Sequence, residues 1–334
     1  MINNSLIILP WGGEISFYVF LVIMGALVAA VWTVYRSSLN EAGAGRGILF
    51  VILSAVLGLG VGRAVYCGVR YVRLFYDPRG EFIGLSPFLD PSVGSINVIG
   101  VILGILLAAA LTGLLCRGKA LDLLDAAAVP GLMLFAGVRF IEPMNGMGFG
   151  DLVTYEPLCR FPFAIENGMG DYSLSVCFFE AALAFVIGLV LLIAYHKCRK
   201  SGTLAGIGLT LLCVTQIMPE SLRLDDVLFL FIFARVSQLG YAVILFGTLI
   251  AFLIRGGRRG LSGKTIFLEI LLLLIGIGVC VGAEFALDKT NLSHMLVYGV
   301  MIAALIAMGV LVLRRIVKED KLTEEKIKEE KADA

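Results

Sequence analysis

Residues 94–115 read GSINVIGVILGILLAAALTGLL, twenty-two positions without one charged side chain. A helix rises about 1.5 Å per residue, so such a run reaches across a hydrocarbon core about 30 Å thick. In lipid the backbone N–H and C=O groups must find partners within the segment, which a helix provides. Nine runs of this kind occur in the chain, near 14–35, 47–67, 94–115, 124–142, 177–195, 203–219, 230–254, 265–285 and 294–313. Nothing alternates over about ten residues for span after span, so no β-barrel is expected. The expected fold is all-α, a polytopic integral membrane helix bundle.

The composition points the same way. Of the 334 residues 59% are hydrophobic and 16% charged, where a soluble domain has roughly one residue in four charged. Residues 314–334 hold 14 of the 53 Asp, Glu, Lys and Arg residues, leaving 39 for the other 313. A soluble globular protein and a disordered chain are thereby excluded. The balance of 27 basic against 26 acidic residues offers no basic face, so no nucleic-acid partner is expected.

No Lys or Arg precedes Arg36, so the first run lacks the positive flank of a cleaved signal peptide, and the N-terminus is expected outside. With that orientation the cytoplasmic segments 36–46, 116–122, 196–202, 255–264 and 314–334 hold 2, 2, 3, 4 and 7 basic residues, 18 in all. The external segments hold 6. The excess of Lys and Arg inside favours the orientation with the N-terminus outside and the C-terminus cytoplasmic. The tail KEDKLTEEKIKEEKADA is expected to be a frayed helix or disordered.

An ionisable side chain within a span costs on the order of 2.5–3.5 kcal/mol on insertion scales and normally faces a partner or a cavity. Three clusters stand out. The first is Arg139-Phe-Ile-Glu142-Pro-Met-Asn145-Gly146-Met-Gly-Phe-Gly150, in which Arg139 and Glu142 share a helix face before Pro143 and a glycine-rich turn. The alternatives there are an internal ion pair or a ligand site. The second is Gln216-Ile-Met-Pro219-Glu220-Ser221-Leu-Arg223-Leu-Asp225-Asp226, followed by Arg235 and Gln238 early in the seventh span. The third is Glu180, early in the fifth span after the external stretch Arg160 to Gly168, with Arg139 or Arg223 as candidate partners. All are expected near the external leaflet, where an arginine fork suits a phosphate. The fourth and sixth runs, short and polar, are expected inside the bundle.

Seven cysteines are scattered singly, with no CxxC and no His/Cys pair, so no metal is expected. Cys67 and Cys159 are the external pair that a disulfide could join. The two histidines are His196, beside Lys197 and Arg199 at the cytoplasmic face, and His294 at the start of the ninth span. No internal repeat is evident, which weighs against a secondary transporter.

At these residues the sequence resembles the prolipoprotein diacylglyceryl transferase family over roughly residues 15–250. The family signature G-R-x-G-N-F-x-N-G-E-x-x-G falls on Val138 to Gly150, keeping Arg139, Asn145, Gly146 and Gly150; Glu142 stands for its first Asn and Met147 for its Glu. Its R-x-x-x-E-x-x-R falls on Gln216, Glu220 and Arg223, and Ser237, Gln238 and Gly247 resemble its seventh span. Phe161-Pro162-Phe163-Ala164 resembles its external loop, and Gly62-Arg63 with Phe75-Tyr76 its second span and exit. Its H-G-G falls near Asn97, Val98 and Ile99, and of its H-P-x-Q-L-Y-E only Glu180 is kept, so the family's histidine is absent.

The resemblance implies a seven-span core, residues 1–254, with two extra C-terminal spans, 255–313, and a charged tail, 314–334. It implies a bacterial inner-membrane transferase that moves the diacylglyceryl group of phosphatidylglycerol onto the lipobox cysteine thiol of preprolipoprotein signal peptides, without a cofactor. The candidate catalytic residues are Arg139, which with Arg223 can serve the leaving phosphate, and Glu142 or Glu220, either of which could take the thiol proton in the absence of the family's histidine. The implied substrate-binding residues are Asn145, Gly146, Gly150, Glu180, Gln216, Arg223 and Gln238. Two alternatives stay open: a catalytically impaired member that binds phospholipid headgroups, and a small-solute transporter.

Overall fold

A computed structural model describes residues 5–8, 14–40, 42–77, 79–90, 95–166, 170–195, 198, 200–224, 228, 235–290 and 293–332. Asn167, Gly168, His196, Lys197, Arg199, Asp225 and Asp226 lie outside the described residues. Among those described, nine helices are long and apolar enough to cross a membrane, and the strands form only two small hairpins. The chain is an all-α, multi-pass membrane protein. Its spans are α1 (Phe17–Leu39), α2 (Ala44–Val69), α3 (Val98–Leu115), α4 (Ala120–Ile141), α5 (Val176–Ala194), α6 (Thr203–Leu222), α7 (Val236–Gly257), α8 (Gly263–Lys289) and α9 (His294–Ala332). Each falls on one of the nine apolar runs.

The last helix differs from expectation. It continues through the charged tail to Ala332 instead of fraying. Lys and Glu are good helix formers, and the start of the tail is also pinned. Arg315 pairs with Glu269 of α8. The Glu319 carboxylate lies 3.5 Å from Lys200 and 3.6 Å from Arg259. Asp320 accepts from the Lys200 N–H at 2.8 Å and from the Thr203 hydroxyl at 3.0 Å.

Small residues set the closest helix contact. Gly58 and Gly62 of α2 face Gly100 and Gly104 of α3. A Cβ on Gly100 would lie 2.6 Å from the Gly62 Cα, and one on Gly104 2.4 Å from the Leu57 carbonyl oxygen. In lipid, helices associate largely by such packing, and small-xxx-small spacing permits it.

The centre of the bundle is α6, with 67% of its apolar window buried against 6% for α1. For α4 the share is 33%, no more than for α3, so its polar end is enclosed rather than its whole length. Leu132, Leu191, Leu212, Leu245 and Leu249 of α4 to α7 form one buried cluster with Leu273 of α8 and Met301 and Met308 of α9. The last two helices therefore pack directly on α6 and α7.

Side chains fix the ends of these helices. Asn97 caps α3, its Oδ1 accepting from the Ile99 N–H at 2.9 Å and the Gly100 N–H at 3.3 Å. Asp125 of α4 reaches across to the start of α6 and accepts from the Gly202 and Ala205 N–H groups at 2.6 and 2.7 Å. Arg63 of α2 donates to the carbonyls of Pro87, Phe88, Asp90 and Ser95 at 2.6 to 3.1 Å, holding the loop that leads to α3. Cys67 and Cys159 are both free thiols.

Candidate functional site

The helix α4 ends at Ile141, with Pro143 just beyond it. A short 3-10 turn, Glu142–Asn145, takes over and ends at Gly146, whose φ of 69° is left-handed. The chain then threads between α5 and α6. The Cys177 N–H donates to the Gly148 carbonyl at 3.0 Å, the Gly150 N–H to Leu174 at 2.7 Å, and the Leu224 N–H to Phe149 at 2.9 Å. There is no room for side chains here. A Cβ on Gly150 would lie 2.7 Å from the Leu222 carbonyl oxygen, and one on Gly148 2.5 Å from the Cys177 Cβ. This stitching brings the ends of α4 and α6 and the start of α5 to one point.

Five ionisable side chains meet there. Arg139 Nη1 lies 2.6 Å from Glu142 Oε1, Arg139 Nε 3.4 Å from Glu180 Oε2, and Arg139 Nη2 4.0 Å from Glu220 Oε2. Arg223 Nη1 lies 2.8 Å from Glu180 Oε2, and Arg223 Nη2 3.1 Å from Glu142 Oε2. Glu180 thus touches both of its candidate partners. All five residues are buried, Glu180 completely. Desolvated charges at such a depth persist only when paired in this way.

Several polar atoms around the network have no hydrogen-bond partner among the described residues. They are Glu180 Oε1, Gln216 Oε1, Glu220 Oε2 and the Tyr241 hydroxyl, together with Arg139 Nε and Glu142 Oε2, which keep ion-pair distances without a hydrogen bond; all are buried. Most buried polar atoms in native proteins are satisfied, so a group of orphans calls for an explanation. A donor-bearing ligand or ordered water at this point supplies one. Gln216 contributes only a long contact, its Nε2 donating to the Glu180 carbonyl at 3.5 Å.

The remaining sequence-derived residues lie around this centre. Asn145 and Gly146 are exposed on the turn after α4. Gly150 is buried in the stitch between helices. Gln238 points to the C-terminal pair, donating to Glu284 of α8 at 2.6 Å and to the Ile217 carbonyl at 3.3 Å. Arg235 donates to the carbonyls of Glu220, Ser221 and Arg223 and so closes the end of α6. Tyr241, Cys177 and Glu284 were not read from the sequence as site neighbours. Tyr241 and Cys177 look like ordinary apolar-span residues, and only their packing reveals them. Glu284 did carry a signal, a carboxylate within the eighth run.

No protein-family model matches the chain. Among similar proteins, the phosphatidylglycerol–prolipoprotein diacylglyceryl transferase of Clostridium novyi (strain NT) is 25% identical over 223 residues, covering 65% of this chain and 83% of that protein. The protein of the same name from Clostridium kluyveri is 24% identical over 234 residues, covering 68% of this chain and 87% of that protein.

Proposed function

We propose that this chain modifies lipoproteins, moving the diacylglyceryl group of phosphatidylglycerol onto the lipobox cysteine thiol of a preprolipoprotein signal peptide. The sulfur attacks the glycerol carbon, a C–S bond forms, and the C–O bond to the phosphate breaks. The leaving group is a glycerol phosphate. Its charge is met by Arg139 and Arg223, and the thiol proton passes to a carboxylate. Glu220 is the candidate for that role, supported by an Oε2 that accepts no hydrogen bond. Asn145 and Gly146 on the exposed turn, with Glu180 and Gln216, surround the headgroup, Gln238 supports the end of α6 through the Ile217 carbonyl, and Gly150 shapes the segment that carries the turn. The reading places the protein in the bacterial inner membrane, N-terminus outside, with the reaction at the outer leaflet. It also divides the chain into a transferase-like core, 1–254, two further spans, 255–313, and a tail.

The observation that carries this reading is the pair of buried guanidiniums at one end of α4 and α6, in a chain similar to two proteins that bear the transferase name. The test is expression in cells depleted of their own transferase. Restored lipoprotein lipidation and growth are expected. Arg139→Lys, which keeps the charge but loses the fork, should cut the activity about 10- to 150-fold, the worth of a charge-assisted contact. A second reading, phospholipid headgroup binding without turnover, is favoured by one observation. Asn97, which falls near the family's histidine, is occupied in capping α3. Headgroup binding by purified protein with no lipidation in the cells selects this second reading.

A further inference from the structure

The two guanidiniums of the network are already bridged. Glu142 places one carboxylate oxygen on each of them, Oε1 at 2.6 Å from Arg139 and Oε2 at 3.1 Å from Arg223. A single oxyanion spanning two arginines is the arrangement that a phosphodiester would adopt in the same place. Glu142 differs from the other two acids in how it is held. Glu180 lies within α5 and Glu220 within α6. Glu142 opens a four-residue 3-10 turn that passes to Gly146 and Gly148, both at positive φ. The space for it is built, because a Cβ on Gly148 would lie 3.1 Å from Glu142 Oε2. Among the described residues three carboxylates also face two guanidiniums here, while Arg235 donates to the carbonyls of Glu220, Ser221 and Arg223. An incoming anion would meet the Glu142 carboxylate between the two guanidiniums for as long as Glu142 stays.

We propose that the Glu142 carboxylate is the resting occupant of an anion seat between Arg139 and Arg223, and that a phosphate-bearing ligand enters only as Glu142 leaves it. Glu142 is then a specificity-determining residue. It opposes adventitious anions and admits a ligand whose other contacts outweigh its return. This rests on the phosphatidylglycerol reading for the identity of the natural ligand. The seat itself is chemically indifferent to whether the phosphate belongs to a lipid or is free.

The full chain, purified and placed in phosphatidylethanolamine nanodiscs, allows a test with two probes. One is phosphatidylglycerol doped into the bilayer, with retention measured by native mass spectrometry. The other is soluble glycerol 1-phosphate, measured by calorimetry. Glu142→Gln removes the competing charge and should tighten binding of at least one probe about tenfold or more, with zwitterionic lipid retention unchanged. Glu142→Asn, shorter and neutral, serves if the glutamine variant does not fold. Arg139→Gln in the Glu142→Gln background should abolish the gain. If wild type retains phosphatidylglycerol selectively but neither neutral variant binds any anion more tightly, the seat proposal fails and the lipid reading stands. If glycerol 1-phosphate binding tightens while phosphatidylglycerol is never selected, the seat stands and the lipid reading fails. No tightening of either probe in a folded variant overturns the proposal.

Discussion

Replacing Arg223 by Gln removes one of the two cations that keep three buried carboxylates in the bilayer. In the folded protein Glu180 is fully buried and loses its 2.8 Å contact, leaving only Arg139 Nε at 3.4 Å. Glu142 loses its 3.1 Å contact and keeps Arg139 alone. Removing one partner of a buried pair costs about 3–5 kcal/mol, because the survivor remains charged and desolvated. Glu180→Gln acts in the opposite sense, lowering the excess of negative charge, and should change stability by about 1 kcal/mol or less. The double variant restores the original balance of one more acid than base. It should recover more than half of the loss, a coupling of roughly 2 kcal/mol. The assay is denaturant-induced unfolding in micelles, with all four proteins compared under one condition. If the two single effects add to within about 0.5 kcal/mol, the side chains do not act as one network.

Other outcomes are expected. Tyr241→Phe removes an orphaned buried hydroxyl and should stabilise the protein by about 1 kcal/mol. The same variant should weaken lipid retention if the hydroxyl awaits a ligand, and both are read by unfolding and nanodisc retention. Gly104→Leu forces a side chain into the Leu57 backbone. It should cost about 1–3 kcal/mol and weaken cysteine cross-linking between α2 and α3; unchanged cross-linking refutes the close approach. A chain ending near residue 260 is expected to insert and fold, because lipid can cover the apolar faces of α6 and α7 that α8 and α9 leave. Failure of that shortened chain to accumulate in the membrane refutes the two-part division.

Much of this fold was legible because lipid imposes one strong rule, an apolar run long enough to cross. The nine helices follow from it, with ends that moved by a few residues where caps such as Asn97 and turns such as Glu142–Asn145 intervene. The helical tail was not legible, since its order depends on contacts from Glu319 and Asp320 to residues more than a hundred positions away. Within the site, charged residues in spans announced themselves by their cost. Arg139, Glu142, Glu180, Glu220 and Arg223 come together because three helix ends meet. The hydroxyl of Tyr241 gave no periodic signal, because a single polar atom on an apolar helix looks the same whether it faces lipid or a neighbour, whereas Gln238 and Glu284 were each visible as polar residues in spans and only their pairing was not.

The Asp125 bond to the first turn of α6 makes a fulcrum. It ties α4 to α6 at the end far from the ion pairs, through two hydrogen bonds of 2.6 and 2.7 Å. From there to Arg139 is fourteen residues of helix, about 21 Å of lever arm. A tilt of about 5° at the pivot therefore swings the guanidinium by about 2 Å at the far end, enough to convert the 4.0 Å separation from Glu220 into a direct contact or to part Arg139 from Glu180 of α5. Helix rocking that moves the buried Leu132, halfway along the arm, by only about 1 Å can thus re-sort the partners of Arg139, and the aspartate at the pivot never touches them.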